Sequence, residues 1–151
     1  MKPNHLLLYA YEKEFEILED MSSGISRYRY EELFRVTKNL VHSLIDCQER
    51  IINDIKDKNH KSYFSAFRFV NNKLKHEKKL IDISEKADGT TLPSKLDGSA
   101  RFYHYVWAKN EELGDSDKYK DQREAYKKIL EMKPIIYTFR DIDIILKEYI
   151  E

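Results

Sequence analysis

The stretch from Tyr30 to Lys56 constrains the fold most, because apolar residues recur along it at three- and four-residue steps without a glycine or proline. This spacing places side chains on one face of an α-helix, so the stretch predicts a helix of about 40 Å. Such a helix is stabilised mainly by burying its apolar stripe against other helices. The stripe consists of Leu33, Val36, Leu40, Leu44, Ile51 and Ile55, widened by Val41, Ile45 and Ile52.

The rest of the chain predicts further amphipathic helices. Asn4 is a candidate N-cap for a first helix that runs to about Ser22. Another helix starts at Asn59 or Ser62 and fades after Leu80. A helix resumes near Ser116, and Pro134 suits the first turn of a final helix. The residues that recur at helical spacing are Leu8, Tyr11, Phe15, Leu18 and Met21 in the first helix, Tyr119, Arg123, Tyr126 and Leu130 in the helix near Ser116, and Ile135, Phe139, Ile142, Leu146 and Tyr149 in the last helix.

One segment is not helical in character. Residues 84–100 collect Gly, Pro, Ser, Thr and Asp and predict a long loop. Arg101 to Ala108 is dense in aromatic residues and predicts a strand, paired with Leu80 to Ser84. With 36% charged residues, 4 Gly and 3 Pro, the chain is expected to be mainly α. We predict a single domain over 1–151, a four- to five-helix up-and-down bundle with a small β insertion around residues 80–108.

The composition also bears on compartment and cofactors. The single cysteine, Cys47, leaves no intramolecular disulfide and fits a reducing, cytoplasmic location. No leader and no apolar run long enough for a membrane span is apparent, so we expect no membrane association. The five histidines lack metal-ligand spacing, and no glycine-rich phosphate loop is present. We therefore expect neither a metal nor a cofactor.

Charge is unevenly distributed although the net charge is zero. The segment from Lys56 to Lys79 holds eight cations and two anions, a local charge of +6. Such a segment attracts a polyanion without raising the overall pI. A solvated helix face paired with an acidic neighbour would explain the same charges.

The centre of the basic segment, Phe67 to His76, places Arg68, Asn72 and His76 four residues apart on one helix face. On a helical wheel, the core face is formed by Phe64, Phe67, Asn71 and Leu74. Phe69 and Leu80 lie near the direction of His76, which indicates a second apolar face. We expect this second face to be covered by the β insertion or by a second subunit.

A long helix followed by a helix that ends in Asn72, Lys75 and His76 resembles the HEPN superfamily (higher eukaryotes and prokaryotes nucleotide-binding). The resemblance covers a core of about residues 30–80 plus 116–150. It implies an all-helical, usually dimeric protein of a toxin–antitoxin, phage-defence or stress system. Many members are metal-independent ribonucleases, and others are non-catalytic modules.

The family motif has Arg, four to six residues, and then His. His76 matches the histidine, but the arginine would have to stand at position 69, 70 or 71, where this chain has Phe69, Val70 and Asn71. Arg68 precedes His76 by seven intervening residues. The sequence departs from the family pattern at this position.

These observations yield two groups of candidate residues. His76, Arg68 and Asn72 are candidates for catalysis, since imidazole titrates near neutrality and arginine binds phosphate. Candidates for nucleic-acid binding are Asn71, Lys73, Lys75 and Lys79. The alternation of Tyr103, Tyr105 and Trp107 suits base stacking or a core-facing strand, and we prefer the core.

Two functions from different classes fit the sequence. One is RNA or nucleotide binding by a homodimer, with or without ribonuclease activity. The other is a non-enzymatic dimeric module that binds another protein. Asn72 and His76 would then serve only to fix helix packing.

Overall fold

The computed structural model describes residues 5–22, 30–76, 79–84, 104–114 and 117–150. Over these ranges the chain is mainly helical with one small antiparallel sheet, as predicted. The elements are α1 (His5–Ser22), α2 (Tyr30–Ile51), α3 (Lys58–Lys75), β1 (Ile81–Ser84), β2 (His104–Trp107), α4 (Lys120–Ile129) and α5 (Ile135–Tyr149), with 3-10 turns at Asn110–Leu113 and Asp117–Tyr119. The predicted cap at Asn4, the loop beyond Ser84 and the helix start at Ser116 lie outside the described residues.

Helix α2 is shorter than predicted: it ends at Ile51 and not at Lys56. The backbone N–H of Asp54 donates to the carbonyl of Ile51 at 2.9 Å, which closes a turn after the helix. Asn53 and Asp54 favour turns, since their side chains compete for backbone hydrogen bonds. Ile55 follows the turn and is still buried. The apolar stripe from which the helix was predicted therefore extends past the end of the helix.

Helix α3 begins at Lys58, before either predicted start. Asp57 has extended backbone angles and caps the helix: its carboxylate accepts from the N–H of Asn59 at 2.8 Å and of His60 at 3.1 Å. These bonds satisfy two of the free N–H groups at the helix start and hold the pKa of Asp57 below its ordinary value. The helix ends at Lys75, and His76 is its C-cap.

Strands β1 and β2 pair as predicted, with Ile81 opposite Trp107 and Asp82 opposite Val106. Trp107 is fully buried, and its indole N–H donates to the Thr138 hydroxyl of α5 at 2.9 Å. Its ring also contacts Phe67 and Phe139, with centroids about 6 Å apart. Trp107 thus serves the core, as preferred in the sequence analysis; Tyr105 is half-buried against it, and Tyr103 lies outside the described residues.

A continuous core connects all five helices and the sheet. Tyr11 of α1 is fully buried and donates to a carboxylate oxygen of Asp143 in α5 at 3.0 Å, so burial and this carboxylate raise the pKa of Tyr11. No helix in the described part of the chain is long and apolar enough to cross a membrane. Helix α3 contacts α2, α4 and α5, and this central position decides which of its faces remain accessible.

Candidate functional site

One face of α3 remains partly open to solvent, and we call it the α3 polar face. Its residues follow one another at steps of three and four, which places them on one side of the helix. Lys61 and Lys75 are exposed, and the three residues between them are half-buried. The α3 polar face consists of Lys61, Ser65, Arg68, Asn72 and Lys75.

A cleft of about 450 Å³ opens where the α3 polar face meets the end of α2. We call it the α2–α3 cleft. It lies at the turn between the two helices, so both contribute to its walls. Its lining residues are Gln48, Ile52, Asn53, Ile55, Lys56, Lys61, Phe64, Ser65 and Arg68.

The α2–α3 cleft is positively charged. Lys56, Lys61 and Arg68 line it, and none of the described lining residues is acidic. Glu49, Asp54 and Asp57 each adjoin a lining residue in sequence and are exposed, and Asp57 accepts backbone hydrogen bonds at the start of α3. Cations gathered in a concave site focus the electrostatic field and attract anions. The cleft therefore has the charge of an anion-binding site.

Gln48 forms part of the cleft wall from the α2 side. Its side chain is only 4% exposed, and its amide oxygen is buried without a hydrogen-bond partner among the described residues. Buried amides are nearly always hydrogen-bonded in folded proteins. The Gln48 oxygen is thus a buried acceptor that the described residues leave unsatisfied.

The structure places the three catalytic candidates along one line without bringing them together. Arg68 lies in the cleft and Asn72 one turn further along α3. His76 is exposed, just beyond the last helical residue, and its backbone N–H donates to the Lys73 carbonyl at 3.1 Å. From Arg68 to His76 the helix rises about 12 Å. One scissile phosphate cannot contact both side chains without a large extension of each.

Two candidates for nucleic-acid binding face the interior. Lys73 is 7% exposed; its ammonium donates to the Leu113 carbonyl at 3.3 Å and lies 5.3 Å from the centre of the Phe69 ring. Asn71 is 9% exposed, and its side-chain oxygen has no partner in the described part of the chain. Neither side chain offers a surface contact for a phosphate.

The other two candidates, Lys75 and Lys79, are exposed. Lys79 forms an ion pair with Asp82 of β1 at 3.6 Å. Lys75 extends the positive charge of α3 towards His42 of α2. Burial, followed by the charges of Lys38 and Lys75, lowers the pKa of His42 below its ordinary value. Positive charge on α3 therefore extends past the cleft to Lys75, near His42 of α2.

The second apolar face predicted for α3 is covered within the same chain. Phe69 is buried and packs on Tyr126 of α4, with ring centroids 4.9 Å apart, and the guanidinium of Arg123 lies over its ring. Burial raises the pKa of Tyr126, whose hydroxyl donates to the Ala108 carbonyl. For Phe69 the cover is α4, whereas Leu80, the other residue of this face, is buried beside the β insertion as expected, where its carbonyl accepts from the Ala108 N–H at 2.7 Å.

Among the polar cleft residues, Gln48, Asn53 and Ser65 escaped the sequence analysis, and Lys56 and Lys61 entered it only as members of the basic segment. The spacing of Lys61, Ser65, Arg68 and Asn72 carries a signal that could have revealed two of them, since the stripe through Arg68 extends towards the start of α3. Gln48 belongs to another helix, and no local pattern connects it to Arg68. Within the described residues, no group of three or more His, Cys, Asp or Glu is placed to hold a metal ion.

Together, fold and cleft define a small helical bundle with a basic surface cleft between two neighbouring helices. Comparison with known proteins found no matching family model, curated protein or solved structure. The function is therefore inferred from the chemistry of the cleft and of the α3 polar face.

Proposed function

We propose that this protein binds RNA through the α2–α3 cleft and the α3 polar face. The observation that carries the proposal is the grouping of Lys56, Lys61 and Arg68 in one concave site with no acid among its described lining residues. Phosphate contacts supply most of the affinity in nucleic-acid binding, and they require cations along the path of the backbone. The resemblance of residues 30–80 to HEPN proteins supports the same ligand class.

The α3 polar face provides such a path. Lys61, Arg68 and Lys75 follow at intervals of seven residues, about 10 Å along the helix axis. Arginine binds phosphate bidentately, whereas lysine acts as a mobile point charge. Ser65 and Asn72 stand between the cations and add neutral hydrogen-bonding groups. A single strand lying along α3 would meet cations and neutral polar groups in alternation.

The geometry favours binding over cleavage. His76 is exposed beyond the end of α3, Asn72 lies one turn away, and Arg68 is about 12 Å distant along the axis. Metal-independent cleavage needs an acid or base and a phosphate-binding cation at the same phosphate. RNA incubated with the parent and with His76→Ala should remain intact in both cases. Products that depend on His76 would show that the protein is a nuclease.

Fluorescence anisotropy with a labelled single-stranded RNA tests the binding proposal. The variant Lys61→Ala/Arg68→Ala should bind about tenfold more weakly, since two partly exposed ionic contacts of up to about 1 kcal/mol each are lost. The control Arg35→Ala/Lys127→Ala removes the same charge from exposed ion pairs with Glu32 and Glu124. It should change affinity less than twofold. Equal losses in both variants would mean that only the overall charge matters, and the proposal would fail.

A second candidate function, a dimeric module that binds protein, is favoured by apolar side chains on α1 and α5. Leu6 and Ile144 are 66% and 65% exposed, and Tyr9 and Ile17 are exposed on α1. We propose that this surface pairs with a second copy of the chain. Light scattering should give a dimer that Ile144→Asp converts to a monomer. A parent that is monomeric at micromolar concentration would overturn this assignment.

As to setting, we propose that the protein acts in the cytoplasm, in a defence or stress system. The single cysteine, buried and free, suits a reducing compartment, and the HEPN resemblance suggests the biological context.

A further inference from the structure

The α2–α3 cleft contains more than cations. Ile52, Ile55 and Phe64 contribute apolar surface, Ser65 adds a hydroxyl, and Gln48 contributes an amide. Ile52 is 48% exposed, so part of the apolar wall is accessible. The volume of about 450 Å³ falls in the range of small-molecule sites. A bare phosphate would engage the cations and leave the amide and the apolar wall without a partner.

We propose that the α2–α3 cleft binds one ribonucleotide unit of the RNA, with Gln48 hydrogen-bonding to the sugar or base and Arg68 and Lys61 holding the phosphate. The inference rests on the proposed function and specifies which part of the ligand enters the cleft. A nucleotide offers a partner for each part of the lining: an anionic phosphate for the cations, hydroxyl and amino donors for the amide, and a flat base for the apolar wall.

Gln48 carries the inference because its side-chain oxygen has no hydrogen-bond partner among the described residues. The oxygen is buried in a side chain that is 4% exposed, and no described residue donates to it. A side chain that stabilises the fold by hydrogen bonding would have its partner in the protein. The oxygen has less than 1 Å² of accessible surface, so a ligand donor such as a ribose hydroxyl or a base amino group would bind it after the Gln48 side chain rotates towards the cleft.

The position of Arg68 agrees with the assignment of the phosphate to the cations and of the sugar or base to Gln48. Arg68 and Ser65 reach the cleft from α3, whereas Gln48 reaches it from α2. The cations Lys61 and Arg68 and the amide of Gln48 therefore lie on different helices. The two contributions can be removed independently by substitution.

The variant Gln48→Met tests the proposal, since methionine keeps the side-chain length and removes the amide. We expect its unfolding midpoint in urea to equal or exceed that of the parent, because a buried acceptor without a partner is lost. Adenosine 5′-monophosphate should bind the parent more tightly than inorganic phosphate does. Gln48→Met should weaken nucleotide binding about fivefold, the loss expected for one hydrogen bond, and leave phosphate binding unchanged.

The matched control is Gln122→Met on α4, a half-buried glutamine outside the cleft lining. It should alter neither binding constant. In the parent, the side-chain amide resonance of Gln48 should shift on addition of adenosine 5′-monophosphate, while that of Gln122 should not. This measurement needs no substitution, so it decides the matter even if Gln48→Met fails to fold.

The outcomes separate this inference from the proposed function. If RNA binding depends on Lys61 and Arg68 but the Gln48 resonance and the Gln48→Met affinity show no response, only the nucleotide assignment is wrong. Equal affinity for phosphate and nucleotide would likewise mean that the cleft binds anions without recognising the sugar or base. If a poly-glutamate peptide binds and RNA does not, both proposals fail.

Discussion

Replacing Tyr126 by Phe should destabilise the protein by about 1–3 kcal/mol. Tyr126 and Ala108 are both fully buried, and the tyrosine hydroxyl donates to the Ala108 carbonyl. Phenylalanine keeps the ring that packs on Phe69 and removes only the donor. The cost is that of leaving a buried carbonyl without its hydrogen bond. For a chain of 151 residues, a loss of 2 kcal/mol corresponds to a fall in Tm of roughly 4–8 °C.

Urea unfolding followed by Trp107 fluorescence measures this change. The chain has one tryptophan, and it is fully buried next to Ala108 in sequence, so its emission should report loss of the core. The midpoint should fall while the slope m stays constant. Tyr119→Phe is the control: Tyr119 is 41% exposed, and its change should stay within about 0.5 kcal/mol.

Equal midpoints for Tyr126→Phe and the parent would refute this reasoning, and so would an equal loss in Tyr119→Phe. Because α4 and the cleft contact different faces of α3, RNA affinity of folded Tyr126→Phe should match that of the parent. A parallel loss of affinity would show that the cleft depends on the packing of α4.

Three further predictions concern charge and protonation. The salt dependence of RNA binding should have a log–log slope of about −2.8 from Lys56, Lys61, Arg68 and Lys75, at about 0.7 per phosphate contact on a single strand. The variant Lys61→Ala/Arg68→Ala should reduce the magnitude of this slope by about 1.4, and an unchanged slope would mean that neither side chain contacts phosphate. Burial and Asp46 raise the pKa of the Cys47 thiol from 9.0 to about 11. The folded protein should therefore hold about a hundredfold less thiolate at pH 8 than the unfolded chain and react correspondingly slowly with a thiol reagent; equal rates would contradict the burial. The pKa of His42 lies below its ordinary 6.5. The neutral imidazole therefore stabilises the folded state above pH 6.5, and this stabilisation is lost as the pH falls through the lowered pKa. The urea midpoint should drop less between pH 7.5 and 5.5 in His42→Gln than in the parent, whereas identical drops would exclude His42 as a cause.

The helices and the strand pairing could be predicted because periodicity reflects burial directly. The same property explains the error at the end of α2. Ile55 continues the apolar stripe and is 3% exposed, yet it lies beyond the turn that follows Ile51. Periodicity detects which residues are buried, and a buried residue after a turn satisfies the pattern as well as a helical one. The cap at Asp57 would have marked the boundary.

The site was predictable only along α3. Arg68 and Asn72 were selected by their spacing, and both lie on the α3 polar face. Lys73 was selected by its charge. The charge does not indicate that the Leu113 carbonyl and the Phe69 ring hold this side chain inside the protein. Gln48 was missed because its place in the cleft arises from the packing of α2 on α3. Tertiary contacts decide both cases, and no local pattern encodes them.

The most direct test of the central claim is an NMR titration of the isotope-labelled protein with a short single-stranded RNA. Backbone amide shifts should concentrate at Gln48, Lys56, Lys61, Ser65 and Arg68, and extend along α3 to Lys75. The amides of α1 and α5 should change little. Shifts confined to α1 and α5, or no shifts at RNA concentrations that saturate the anisotropy signal, would contradict the assignment of the α2–α3 cleft as the RNA-binding site.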